Sequence, residues 1–270
     1  MIFSLLRLAL RGYRDHKTEI DRAGFGLFRR AAVGRIDAAA RKGDYAGALK
    51  TAERLKGNAD LTADRLYFTA NMLMNIGRYD EAEKRLRKHL KTTPDRKRAA
   101  QGHSSLGKLM LELGRYNEAE ECFDISSRYW PDRGSTYRER AEVCLRRGNE
   151  SAEALKWGRM AVEEDRERLN GANNAGQREA GTTSLAEDLA TLAWAVAADS
   201  GDRDQVHQLL EEATRLPVEA VSAKAQIHCH AGRAYAAMGD QERSGQHFSQ
   251  AARIDPNGVW GRAARRAQGA

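Results

Sequence analysis

Three cysteines, Cys122, Cys144 and Cys229, are all that the 270 residues contain. They are odd in number, widely separated and without a CxxC spacing, which excludes a disulfide framework and a zinc knuckle. Small buried core residues in a reducing cytoplasm are what they predict. Prolines number four and aromatic residues make up 7% of the chain. Runs of alternating β-branched residues are scarce, so no convincing strand is present, and the abundance of Ala, Leu, Arg and Glu predicts an all-helical protein.

Catalytic signatures are missing as well. There is no GxSxG, no HExxH, no paired Cys and His, and no glycine-rich dinucleotide loop, so neither cofactor nor metal is expected. The stretch "GHSSLGKL" at 102–109 begins like a phosphate loop. Leu109 follows Lys108 where a magnesium-ligating hydroxyl is needed, and no strand precedes it. In "IHCHAG", His228 and His230 are two residues apart, so a helix sends them to nearly opposite sides and they cannot share an ion. The acids Glu118, Glu120 and Glu121 imply no pocket and predict solvent exposure.

The net charge of +7 is concentrated. Lys84, Arg85, Arg87, Lys88, Lys91, Arg96, Lys97 and Arg98 stand against one acid, Asp95, so residues 84–98 carry +7 and the remainder sums to zero. That run reads either as a solvated outer face or as a surface for nucleic acid, an acidic protein segment or an anionic membrane. No aromatic residue interleaves its cations in sequence, which counts against nucleic acid. The opening "MIFSLLRLALRGYRDHK" is too short for a membrane span, and its flanks are wrong for a signal peptide. Ile2, Phe3, Leu6, Leu10 and Tyr13 share one helical stripe, suited to packing on a neighbouring helix, a second copy of the chain or a membrane surface. Arg outnumbers Lys by 34 to 11, a composition of GC-rich bacterial genomes.

What the chain does have is repetition. "GRYDEAE" at 77–83 returns as "GRYNEAE" at 114–120, and related glycines stand at Gly43, Gly148, Gly201 and Gly239. Successive intervals of 34, 37, 34, 53 and 38 residues describe stacked helical hairpins with one insertion. The marks Leu66, Ala70, Leu73, Gly77, Tyr79, Ala82, Leu86, Leu90 and Pro94 recur as Leu106, Gly107, Met110, Gly114, Tyr116, Ala119, Phe123 and Pro131. They recur again as Gly232, Tyr235, Gly239, Phe248, Ala251 and Pro256, with Ser244 at a position usually Ala. In this pattern the chain resembles the tetratricopeptide repeat family over residues 29–258. The weakest unit surrounds Gly201, where Trp194 takes a position usually small.

The expected fold is therefore all-α, a right-handed α-α superhelix of about six hairpins with an extra N-terminal helix. Its parts are an N-terminal amphipathic segment (1–28), repeats 1–4 (29–169), a polar loop (170–183), repeats 5–6 (184–258) and a basic C-terminal tail (259–270). The polar loop is glycine-rich and without period, and Ser184 with Glu187 has the form of a capping box opening the next helix. The resemblance implies a non-enzymatic scaffold or adaptor that takes a protein or peptide partner in the concave groove of its first helices. The groove positions it implies are Asp64, Tyr67, Asn71 and Asn75, then Ser104, Lys108 and Glu112, then Arg138, Glu142 and Arg146, and finally Arg233. The subfamily that clamps the C-terminal carboxylate of chaperones is not matched. Asn71 fits one clamp position, while Tyr67, Ser105, Ser135 and Glu139 occupy the others.

Overall fold

The computed structural model describes residues 29–57, 59–93, 95–131 and 135–269. The N-terminal stripe of residues 2–13, Pro94 and residue 270 lie outside them. All described regular structure is helical. The helices are α1 (29–41), α2 (Tyr45–Glu53), α3 (Ala59–Asn75), α4 (Tyr79–Thr92), α5 (Arg96–Glu112), α6 (Tyr116–Tyr129) and α7 (Thr136–Arg147). There follow α8 (Ser151–Asn170), α9 (Ala175–Asp199), α10 (Arg203–Arg215), α11 (Val221–Ala237), α12 (Gln241–Ile254) and α13 (Val259–Ala267).

Each of the six aligned glycines sits between two helices with a left-handed backbone, φ running from 67° at Gly201 to 83° at Gly77. A Cβ makes that conformation costly, so glycine is what lets a helix end and its successor fold back on it. After five of these glycines the following helix is started in one of two ways, while α8, after Gly148, has Glu150 at its N-cap and no side-chain cap. Asp44, Asp202 and Asp240 accept a hydrogen bond from the backbone N–H three residues on. In the two repeated heptads an arginine holds that place, and its guanidinium forks onto a glutamate three residues later. Arg78 meets Glu81 at 2.6 and 2.7 Å, and Arg115 meets Glu118 at 2.6 Å twice. Arg115 also reaches Glu83 at 2.9 Å, tying one repeat to the previous one.

Close approach within the pairs relies on small residues. A Cβ on Gly107 would stand 2.5 Å from the Phe123 ring, and one on Gly232 would stand 2.7 Å from the Phe248 ring. One apolar core spans α1 to α7 through Ile36, Leu73, Leu86, Leu109, Phe123 and Val143. A second spans α8 to α11 through Val162, Leu189, Val196, Val206, Leu210 and Ile227. Side chains of this size stabilise by about 1.5–3 kcal/mol each when fully buried, and each core draws its members from several helix pairs. All three cysteines are free and buried. Burial raises the Cys122 thiol to about 11 and the Cys144 thiol to about 12, which leaves both protonated and unreactive.

Two boundaries differ from the sequence expectation. The polar loop shrinks to residues 171–174, because α8 runs to Asn170 and α9 starts at Ala175. Asn174 caps α9 by accepting from the Gln177 N–H at 2.9 Å, and Gln177 Oε1 accepts from the Asn173 N–H at 2.8 Å. Gly181 is tolerated in mid-helix because Leu169 of α8 presses to 3.3 Å of its Cβ position. Ser184 and Glu187 thus lie inside α9 and cap nothing. Nor are residues 259–267 a tail. They form α13, which packs Ala263 and Ala264 against Cys229, Phe248 and Ala251 of α11 and α12.

The array also closes on itself. Arg262 of α13 donates to the Asn75 and Met74 carbonyls at 2.5 and 3.0 Å at the C-terminal end of α3, where the Met74 carbonyl also accepts from the Gly77 N–H at 3.1 Å. No described helix is long and apolar enough to cross a membrane.

Candidate protein-interaction site

Spacing of four puts Tyr67, Asn71 and Asn75 on one face of α3, Ser104, Lys108 and Glu112 on one face of α5, and Arg138, Glu142 and Arg146 on one face of α7. Asn71 and Asn75 of the first stripe, Lys108 and Glu112 of the second and all three residues of the third converge. Together with α11 and α13 they bound a cavity of about 240 Å³ whose lining includes Asn71, Asn75, Lys108, Glu142, Gln226 and Trp260.

Most of the charges on this face are paired within the chain. Glu112 takes Arg146 at 2.8 Å and Arg266 of α13 at 2.7 Å. Burial alone would push Glu112 upward, yet Arg146, Arg233 and Arg266 together hold its carboxyl below the ordinary range. Arg138 pairs with Glu187 of α9 at 2.9 Å and with the fully buried Asp188. Glu142 lies 3.4 Å from the Gln226 amide and 3.9 Å from His230 Nε2, and burial raises its pKa against the pull of the neighbouring arginines. Burial likewise drives His230 well below its usual value. Its Nδ1 meets the Thr191 hydroxyl at 3.0 Å, whereas His228 Nδ1 meets His247 at 3.0 Å, so the two histidines serve different contacts. Breaking one buried pair strands its partner, at about 3–5 kcal/mol.

At the two ends of the implied groove the residues hold the fold together. Asp64 is buried and accepts from Arg29 Nη2 at 3.1 Å, joining α1 to α3. The Arg233 guanidinium lies over Trp194 at 4.8 Å and Trp260 at 5.9 Å, in place of a carboxylate partner among the described residues. Ser104 donates to Glu139 at 2.6 Å. What stays open is the α3 and α5 part. Tyr67, Asn71 and Asn75 are half-buried, and the Lys108 side chain is 48% exposed with its ammonium 3.6 Å from Glu139. Asn71 and Asn75 each donate one amide N–H to the Tyr67 and Asn71 carbonyls at 2.9 and 3.0 Å, and Ser105 donates to Asn71 Oδ1 at 3.0 Å. Asn75 lines the cavity. Trp260 was absent from the sequence reading; a Val259, Ala263, Ala264 stripe following Gly258 was the available sign of a packed helix carrying it.

The basic run divides in two. Arg85 reaches Thr69 at 3.1 Å and Glu53 at 3.5 Å, Arg87 reaches Glu118 at 3.7 Å, and Arg98 reaches Asp60 at 2.6 Å, all linking different helices, while Arg87 also pairs with Glu83 of its own helix at 2.7 Å. Lys84, Lys88 and Lys91 are exposed on α4 without an acidic partner among the described residues. Arg96 and Lys97 lie over aromatic rings, 5.4 Å from the Tyr129 centroid and 5.2 Å from the Trp130 centroid. Aromatic residues absent from the run in sequence are therefore brought to it by the end of α6.

Tetratricopeptide-repeat family models match residues 66–100, 105–168 and 225–257. With the helix pairs and their glycine turns already described, the chain is a tetratricopeptide-repeat protein. No curated protein sequence matches it. Among solved structures it is similar to YrrB, described as a tetratricopeptide-repeat protein with an unusual peptide-binding site, at 18% identity over 77% of this chain and 92% of that one, TM-score 0.40. It is also similar to BtubC from P. vanneervenii, at 17% identity over 84% and 91% of the two chains, TM-score 0.49. PilF of Pseudomonas aeruginosa is similar at 16% identity over 95% and 99%, TM-score 0.41.

Proposed function

We propose that this chain is a non-enzymatic protein-interaction scaffold that holds a segment of a partner protein against the inner face of α3 and α5. The contacts are Tyr67 as an apolar rest, Asn71 and Asn75 for the segment's amides, and Lys108 for an acidic group on it. The observation that carries this reading is the division of the inner face. Around α7 the charges are buried and internally matched, while the α3 and α5 side keeps an exposed cation beside amide side chains at a polar cavity. Such a surface suits an extended or helical segment with amide and carboxylate side chains. Among the described residues no cluster of His, Cys, Asp and Glu could hold a metal ion.

The test is affinity capture from the native host with the wild-type chain and with Asn71→Ala/Lys108→Ala, circular dichroism reporting that both are folded. A partner retained by the wild type and lost by the double variant is expected. Equal capture by both contradicts the assignment.

A further inference from the structure

Away from the inner face, the C-terminal ends of α4 and α6 and the N-terminal end of α5 come together at one edge of the superhelix. Lys91 lies in the last turn of α4 and Lys88 just before it, Arg96 and Lys97 lie in the first turn of α5, and Tyr129 and Trp130 stand at the end of α6. All four cations are exposed, and none has a carboxylate partner among the described residues. Lys88 and Lys91 complement the negative end of their helix. Arg96 and Lys97 do the opposite, since they add positive charge where the dipole of α5 is already positive, with no acid in that turn. What folding gains from their sign comes from the two ring contacts and from the adjacent N-cap Asp95.

The rings are as unusual as the charges. Tyr129 is 39% exposed, one of two large apolar side chains so exposed among the described residues. Each ring carries one cation on a face, Arg96 at 5.4 Å and Lys97 at 5.2 Å. Cations alone would suit any anion. Rings beside cations, the Tyr129 ring exposed and the Trp130 ring half-buried, suit a ligand that has phosphates and flat aromatic faces together, and an unpaired nucleotide chain has both. An acidic peptide uses the charges and leaves the rings idle, while a duplex hides its base faces.

We propose that this edge binds single-stranded nucleic acid, with Lys88, Lys91, Arg96 and Lys97 on phosphates and Tyr129 and Trp130 beneath bases. The site shares no residue with the inner-face reading and stands or falls separately from it.

The test is fluorescence anisotropy of the full-length chain with a labelled single strand of about twelve nucleotides, in about 50 and about 200 mM salt. A duplex of equal length, a polyglutamate peptide and phosphatidylserine vesicles serve as competitors. Four phosphate contacts predict an affinity loss of about fifty-fold between the two salt conditions. Tyr129→Ala/Trp130→Ala is expected to weaken binding by about thirty-fold or more. Tyr129→Phe/Trp130→Phe, which keeps the rings and the packing, is expected to restore binding to near the wild-type level. Lys91→Gln/Arg96→Gln should flatten the salt dependence. Absence of binding overturns the proposal. So does binding that ignores the loss of the rings, or competition by polyglutamate or vesicles as effective as by the unlabelled strand, because each reduces the edge to a general anion surface.

Discussion

The hydroxyl of Tyr45 donates a 2.9 Å hydrogen bond to Asp255 Oδ2, joining positions 210 residues apart. It ties α2 to the turn between α12 and α13, and burial raises the pKa of both partners. A second tie runs parallel to it, from Arg262 to the carbonyls of Met74 and Asn75 and, at 3.3 Å, to the Tyr79 hydroxyl. An open solenoid has contacts only between sequential neighbours. Here the early and late repeats also hold one another.

Removing the Arg262 guanidinium takes its donor from the Asn75 carbonyl and leaves the Met74 carbonyl with the Gly77 N–H alone. Arg262→Ala is expected to speed hydrogen exchange in α13 and around Gly77 by about tenfold or more, with α9 unaffected. Wild-type exchange rates in both segments would show that the closure is not held by this residue.

Asp165 and Asp188 are both fully buried, and each has an Oδ2 without a hydrogen-bond partner. Burial, opposed by Arg138 and helped by the Asp165 charge, raises Asp188 well above the carboxylate range. Stability contributed by such a group is fully present below its unfolded pKa near 4 and is lost as pH rises through the higher folded pKa. Asp188→Asn supplies a permanent donor at the same place and removes the titration. In urea unfolding from about pH 4 to about pH 8, the Asn variant should gain about 1–3 kcal/mol relative to wild type as pH rises. Parallel stability curves would contradict a raised Asp188 pKa.

The glycine at the crossing of α5 and α6 gives a packing test. Gly107→Ala sets a methyl 2.5 Å from the Phe123 ring and is expected to cost about 1–3 kcal/mol. Gly245 of α12 has nothing within 4 Å of its Cβ position, so Gly245→Ala should stabilise by about 0.5–1 kcal/mol. Thermal melts of the two variants that shift in the same direction would argue against the crossing geometry.

Local features were legible in the chain. The aligned glycines announce turns because a left-handed backbone is a single-residue requirement. Spacing of four likewise puts Asn71 and Lys108 on one side. Less could be read where meaning depends on distant partners. Polar composition made residues 175–183 resemble a loop, but Asn174 caps them and Leu169 packs on Gly181, so they are helix. Arg262 and Arg266 looked like a basic tail because their acceptors, the end of α3 and Glu112, lie far back in the chain. The same limit hid the placement of Tyr129 and Trp130 beside Arg96 and Lys97. It also hid that Glu112, Arg138 and Arg146 are committed to one another and to α9 and α13.

The scaffold reading is tested most directly by hydrogen exchange of the chain alone and with its captured partner. Slowed exchange along α3 and α5, with α8 and α10 unchanged, is the result the account predicts. Protection confined to α8, α10 or α12, with α3 and α5 unaltered, would contradict it.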